Sequence, residues 1–477
     1  MGLSSYILRV KYNVVYANLC RIARLSAVTM ILPAVVAVLF GEFFQALIFL
    51  IIGSLGFAVG LTGRAAGGSD MSGKEALVVV ALSYLAYGAM GAFAFLPQTT
   101  YLNGFFETIS GITTTGLTVL RPESLPRSLV FFRSFSQWLG GAGIIVLSLL
   151  ILRGPSRNAF KLYTTEFGEE KLMGNVRATA KLVMVVYSIL TAAGFLVYLA
   201  VGFGPFAAVI HILATVSTGG FSASSESIGH FGGIAQHLAV TVFMLLGAVG
   251  FPAFYLLRRR GVKAFFGDLQ LRYLAVLVLL SWVAMWGAWG WSADKALPGF
   301  FTSVTSASTT GFTTVAESTW PVSVVLISIV LMLIGGSSGS TAGGIKIYRL
   351  IVTLQTIRWY VLRALLPSES KIAVKVHGRA VNDDMIKQTF SICGLYLMLA
   401  AASALCFVMY GGYPVIRSVI ESVSAIGTVG QSSSDTSHSM PAFLKIDHLV
   451  DRWLGRLEIL PVLVTFYPKI WFSRRSQ

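Results

Sequence analysis

The feature that most restricts the folds open to this chain is a succession of apolar runs of membrane-spanning length. They occupy 25–40 and 43–62, then 76–96, 129–152, 181–203, 234–257, 271–291, 321–334 with 345–366, 385–411 and 453–472. A helix needs about 20 such residues to cross a hydrocarbon core, so the pattern predicts about ten crossings and an all-α polytopic membrane protein. Composition agrees: of 477 residues, 55% are hydrophobic and only 12% charged. Soluble proteins carry roughly 25% charged residues, which excludes a water-soluble globular enzyme.

Lys and Arg outnumber Asp and Glu by 36 to 20, a net +16. In a soluble chain that excess points to nucleic acid; here its distribution points to topology. Arg153, Arg157, Lys161, Lys171, Arg177 and Lys181 share one loop, Arg258, Arg259, Arg260, Lys263 and Arg272 the next on that side, and Arg358, Arg363, Lys371, Lys375, Arg379 and Lys387 the third. The intervening loops hold few basic residues. The positive-inside rule makes the rich loops and both termini cytoplasmic, with residues 1–24 (Arg9, Lys11, Arg21, Arg24) a basic lead-in. Cys20, Cys393 and Cys406 are too scattered for a disulfide framework or zinc site. His211, His230, His237, His377, His438 and His448 form no catalytic or metal-binding motif, so no enzyme is expected.

The connections opposite the basic loops repeat one pattern: a short apolar segment, hydroxyl residues, then glycine. The instances are FFETISGITTTGLT (105–118), AVIHILATVSTGGFS (208–222), FFTSVTSASTTGFT (300–313) and VIESVSAIGTVGQS (419–432). Aligned on the glycine that follows the hydroxyl residues, they equate Thr114-Thr115-Gly116, Ser217-Thr218-Gly219, Thr309-Thr310-Gly311 and Thr428-Val429-Gly430. Each apolar piece is too short to cross. Extended backbone at membrane depth is tolerated only where it lines a cavity or is buried in protein. Four such segments around one axis would present rings of carbonyl oxygens that replace a cation's hydration shell. Glu107 and Glu421 precede their glycines by nine residues; cation capture at the outer mouth and packing of the short helix are both open to them.

These loops, with QWLGGAGIIVL (137–147), GGSSGSTAGGIK (335–346) and GRLEILPVL (455–463), resemble the Trk/Ktr/HKT superfamily of potassium transporters, and within it the bacterial TrkH-type membrane subunit. The resemblance covers the chain from about residue 70 onward. It implies four pseudo-symmetric span–pore-helix–filter–span repeats around one pore, plus two extra N-terminal transmembrane helices. The units would be 1–70 (lead-in and extra helices), 71–157, 158–260, 261–375 and 376–477. It further implies a homodimer in the bacterial inner membrane, K⁺ as the transported ion with no organic cofactor, and a cytoplasmic nucleotide-binding regulatory subunit of the TrkA type docking on the basic loops. In Na⁺-preferring relatives the first filter glycine is often Ser, so Gly116 favours K⁺.

The third repeat's second span is broken. Residues 321–334 are too short to cross, and Gly335, Gly336, Ser337, Ser338, Gly339, Ser340, Thr341, Ala342, Gly343 and Gly344 follow. Such a stretch cannot face lipid. It either projects below the filter as a flexible gate or forms a Gly-rich helix in close interhelical contact; the family resemblance favours the gate. Arg456 matches the family's arginine that reaches this loop, and Lys346 is a second candidate. Arg452 is expected to snorkel near the outer interface. The spans' poverty in Asp, Glu and His favours channel-like uptake over a K⁺ symporter coupled to H⁺ or Na⁺.

Overall fold

In a hydrocarbon solvent every backbone N–H and C=O must find its partner within protein, and the helix is the local way to do so. The computed structural model describes residues 9–63, 71–151, 176–367, 372–376, 378–433 and 435–472. Among them the regular secondary structure is helical apart from one hairpin, β1 (Lys375–Val376) paired antiparallel with β2 (Arg379–Ala380). Residues 1–8 and 64–70 of the N-terminal unit, Arg153, Arg157, Lys161, Lys171, Lys371, His377 and Ser434 lie outside the described residues.

The two extra helices are present, but the first begins well before residue 25. Helices α1 (Tyr12–Thr29) and α2 (Ile31–Leu39) form one 28-residue span, and α3 (Phe43–Thr62) returns. The expected lead-in is helical because Val14, Val15, Ala17 and Cys20 bury one face. Glycines on α3 let the backbones meet: a Cβ on Gly60 would stand 2.7 Å from the Cys20 carbonyl, the small-residue packing that substitutes for hydrophobic drive in lipid.

Four units follow, each a leading span, a short helix, an extended strand and a trailing span. They are α4 (Gly73–Ala92), α5 (Tyr101–Ile112) and α6 (Arg127–Ile151); then α7 (Val176–Ala200), α8 (Pro205–Val216), α9 (Ile234–Ala248) and α10 (Phe251–Arg260). After the linking α11 (Val262–Phe266) come α12 (Leu269–Ala288), α13 (Ala293–Ala307), α14 (Val322–Ile334) and α15 (Ile347–Leu365). The fourth unit is α16 (Asp383–Gly411), α17 (Val415–Ile426), α18 (Ala442–Arg456) and α19 (Leu460–Phe466), with α20 (Lys469–Phe472) after it. Two apolar cores run through them. One draws mostly on the first and fourth units with α2 and α3, reaching Ile210, Leu213, Ile329 and Met332; the other draws mostly on the second and third, reaching Ala142 and Met385.

Three trailing spans are broken, where only one break was expected. The run 234–257 bends by 91° between α9 and α10. There the Ala248 carbonyl accepts from Ser337 N–H (3.0 Å) and Phe251 N–H donates to the Gly339 carbonyl (3.0 Å), so the 335–346 segment replaces the missing helical bonds. The last span begins at Ala442 rather than 453 and breaks at Leu457–Ile459, where Glu458 (φ 55°) and Ile459 (φ 67°) are left-handed. Hydropathy hides its first half, because Lys445, His448, Asp451 and Arg452 stand there. All four are buried in protein rather than lipid, Lys445 donating to the Asn103 side chain and the His438 carbonyl, both at 2.8 Å.

The trailing spans share a device. Thirteen residues past each first residue (127 to 140, 234 to 247, 322 to 335, 442 to 455) stands a glycine. A Cβ on Gly140 would overlap the Ile112 carbonyl and one on Gly455 the Ile426 carbonyl, while one on Gly247 would stand 3.0 Å from the Val216 carbonyl. Each of these three glycines thus lets its trailing helix press against the last carbonyls of its own short helix. Gly455→Ala is expected to lower stability by about 1–3 kcal/mol, as overpacking against fixed backbone does, and Gly247→Ala by distinctly less. Thermal unfolding of the two variants in detergent measures that order.

Candidate ion filter and intramembrane loop

Each short helix ends the same way. The residue after its C-cap is a threonine in the left-handed region: Thr114 (φ 52°), Thr218 (φ 51°), Thr309 (φ 53°) and Thr428 (φ 51°). Its N–H bonds three residues back, to Gly111, Thr215, Ser306 and Ala425, at 2.9–3.3 Å. The next N–H bonds five back, to Ser110, Ala214, Thr305 and Ser424, at 2.8–3.0 Å. This is the Schellman ending, which glycine usually serves at the left-handed position. A β-branched residue there is strained. All four are nevertheless threonines, and all are fully buried.

Two residues on, a glycine again has positive φ: Gly116 (87°), Gly220 (79°), Gly311 (82°) and Gly430 (99°). A Cβ on Gly116 would overlap the Gly219 carbonyl, on Gly220 that of Thr310, on Gly311 that of Val429, and on Gly430 that of Thr115. The four strands thus close a ring in which each glycine admits its neighbour's carbonyl.

This corrects the second repeat's register by one residue. The equivalent of Thr114-Thr115-Gly116 is Thr218-Gly219-Gly220, not Ser217-Thr218-Gly219; Ser217 caps α8 as Thr113 caps α5. The doubled glycine concealed it. A threonine two before the glycine and a hydroxyl two after would have found it, since the strands then read TTGLT, TGGFS, TTGFT and TVGQS.

With that register, the position nine before the glycine holds Glu107, His211, Thr302 and Glu421, all buried. Glu107 accepts from Thr118 Oγ1 and Val119 N–H, both at 2.8 Å, and pairs with Arg133 at 2.9 Å. Glu421 accepts from Ser432 Oγ (2.6 Å) and Thr436 Oγ1 (2.7 Å). His211 Nε2 lies 3.0 Å from Ser222 Oγ. In these three repeats the side chain ties the returning strand to its own short helix, so of the two readings left open for Glu107 and Glu421, the contacts are those of packing.

The segment between α14 and α15 lies against one end of the ring, and it is ordered by hydrogen bonds rather than hanging free. Gly343 N–H donates to Thr309 Oγ1 (2.6 Å) and Gly344 N–H to the Gly427 carbonyl (3.1 Å). Thr341 Oγ1 lies 3.0 Å from both the Val216 and Gly247 carbonyls, and Ser338 N–H donates to Gln270 Oε1 at 2.8 Å. Gly335, Gly336, Ser337, Ser338, Ser340, Thr341, Gly343 and Gly344 are buried and Gly339 half-buried. Turns at Gly335 (φ 72°), Gly339 (φ 71°) and Gly344 (φ 74°) use glycine's freedom. The Gly-rich-helix alternative is thereby overturned: the segment has no helix.

Two cations hold it. Arg456 is 5% exposed and donates to the Thr341 carbonyl (2.7 Å) and, in the first unit, to the Gly140 carbonyl (3.0 Å). Lys346, itself left-handed (φ 82°), donates to the Ala342 carbonyl. Beyond them Arg349 pairs with Glu458 at 2.5 Å, joining α15 to the break in the last span. Arg452 does not snorkel: it is fully buried, donates to the His448 carbonyl (2.8 Å) and covers the Phe106 ring at 3.7 Å.

The comparisons match this architecture. The TrkH family model, described as cation transport protein, matches residues 44–288 and 291–473. The Trk system potassium uptake protein TrkH of Halomonas elongata is 31% identical over 93% of this chain and 96% of its own length. An uncharacterized cation transporter of Methanocaldococcus jannaschii is 31% identical over 84% of both chains. The crystal structure of the potassium transporter TrkH from Vibrio parahaemolyticus superposes with a TM-score of 0.85 at 25% identity, covering 97% of this chain and all of that one. With four like units built around one ring and a family model spanning most of its length, the chain belongs to the TrkH family of cation transport proteins.

Proposed function

We propose that the chain is a channel-like K⁺ uptake subunit of a bacterial inner membrane, selective at the ring and gated by the 335–346 segment. The observation that carries this reading is the closed ring itself: four strands of one design, each presenting a carbonyl to the next. Relatives named as potassium uptake proteins supply the ion. A ring of carbonyl dipoles stands in for the water a cation sheds. The C-termini of α5, α8, α13 and α17 lead into the ring, and each brings about half a negative charge. The Thr114 and Thr428 hydroxyls, buried and without a hydrogen-bond partner among the described residues, supply further oxygens.

An ion leaving the ring meets the loop, then Arg456 and Lys346. Passage requires the loop to withdraw, breaking the Gly343–Thr309, Gly344–Gly427 and Arg456–Thr341 bonds. In the positive-inside orientation this is the cytoplasmic side, with both termini inside. Arg258, Arg259, Arg260, Lys263 and Arg272, with Arg358, Arg363, Lys375, Arg379 and Lys387, form the face for a nucleotide-binding regulatory subunit. The assembled unit is a homodimer with its repeats bounded near 71, 158, 261 and 376. Copurification from native membranes should recover such a subunit, and charge reversal at Arg258–Arg260 should release it; recovery unaffected by the reversal sinks this docking face.

One observation favours coupling to H⁺ as the second reading. Asp447, His448 and Asp451 place ligand atoms within 4.8 Å of one another, and His448 Nε2 lies 3.9 Å from Glu421, so the repeat-4 wall holds titratable groups that hydropathy did not suggest. Reconstituted vesicles separate the readings. For the channel, the reversal potential follows K⁺ alone, and a pH or Na⁺ gradient leaves it in place; Gly116→Ser and Gly220→Ser both reduce K⁺ over Na⁺ selectivity. A shift with pH supports coupling, and unchanged selectivity in both variants removes the ring from the mechanism.

Deleting Ser337–Ser340 should raise basal K⁺ flux several-fold by opening the closed side. A flux at or below wild type in folded protein would contradict gating by this loop.

A further inference from the structure

The ring is not equally supported on its four sides. Ten residues past the start of each trailing helix stand Gln137, Met244, Met332 and Arg452 (127 to 137, 234 to 244, 322 to 332, 442 to 452). Only Gln137 bonds to the backbone of a ring strand, and that strand belongs to the next repeat. Its Nε2 donates to the Gly219 carbonyl and its Oε1 accepts from Phe221 N–H at 3.2 Å. The amide orientation is determined by chemistry, because Phe221 N–H can only donate and a carbonyl can only accept. Gln137 is fully buried, and a Cβ on Gly219 would overlap its carboxamide. The doubled glycine that displaced the sequence register thus makes room for this side chain.

One helical turn earlier, Arg133 covers the ring of Phe221 at 4.1 Å while paired to Glu107. Gln137 and Arg133 lie on one helix face and grip the repeat-2 strand by its backbone and its side chain. The corresponding pairs are Val240 with Met244, Ser328 with Met332, and His448 with Arg452. The Gly219 carbonyl is the one Gly116 admits at the ring, as Thr115, Thr310 and Val429 are admitted elsewhere.

We propose that Gln137 is a specificity-setting positioning residue: by donating to the Gly219 carbonyl it withdraws one of four equivalent oxygens partly from the ion and lowers the field of the ring. A weaker field favours the larger, more easily dehydrated K⁺ over Na⁺, through the strength of the coordinating dipoles. This rests on the filter reading above.

The test uses full-length protein in liposomes and the K⁺/Na⁺ permeability ratio from reversal potentials. Gln137→Glu is isosteric, retains the acceptor for Phe221 N–H and loses the donor; Gln137→Leu loses both. Each should lower the ratio about two- to tenfold, the worth of one or two hydrogen bonds, while a merely structural role lowers flux of both ions and leaves the ratio unmoved. A purified variant that does not conduct is assayed by the K⁺ and Na⁺ concentrations that half-protect it from thermal unfolding, where the same shift is expected. Folded variants with the wild-type ratio in both assays overturn the proposal, and so does failure of both variants to fold, which leaves Gln137 a structural role alone. A wild-type protein without K⁺ preference instead removes the filter reading itself.

Discussion

Everything in this molecule is arranged around four extended backbone strands held at membrane depth. Backbone outside a helix is unstable in hydrocarbon unless protein encloses it, so each strand needs a helix to deliver it, side chains to hold it and a trailing span packed closely behind. The short helices deliver it through a Schellman turn, whose two bonds orient the first strand residues identically in every repeat. The left-handed threonines are strained, yet glycine's substitute here brings a hydroxyl to the level of the loop, where Thr309 receives Gly343 N–H.

The close packing behind the strands follows from small residues rather than large ones. In three repeats a trailing-span glycine presses on its short helix. In the third, that glycine is Gly335, where the helix ends and the loop begins, and the loop is accommodated beside Gly343. One sequence position therefore serves close approach in three units and a chain reversal in the fourth. The loop in turn takes up the hydrogen bonds that the bend between α9 and α10 gives up, so two of the three broken spans complete each other.

Charge is handled the same way. Hydropathy treats Arg133, Glu107, Arg452 and Lys445 as obstacles to a membrane helix, and in lipid they would be. Here they lie between repeats with partners or aromatic faces. The arginines of the trailing helices border the first repeat, Arg133 facing the second and Arg452 coming from the fourth, whereas Val240 with Met244 and Ser328 with Met332 hold the matching positions of the other two; the third repeat is joined to the fourth by Arg349 and Glu458 instead. Fourfold pseudo-symmetry is thus a property of the backbone, and the side chains depart from it.

Much was legible in the one-dimensional pattern. Apolar runs show the helical membrane architecture, four Thr/Ser-Gly segments show the repeat, and ten small residues after a 14-residue run show the broken span, because each reports a local requirement of length, backbone freedom or lipid exclusion. What needed the tertiary structure depends on neighbours remote in sequence. The register of the second strand is decided by Gly430, Gly116, Gly220 and Gly311 meeting carbonyls of other repeats. The start of the last span is decided by protein rather than lipid around its charges. The order of the loop is decided by bonds to residues as distant as Val216 and Arg456. Composition can state that a strand must be enclosed; only the packed chain decides which atoms enclose it.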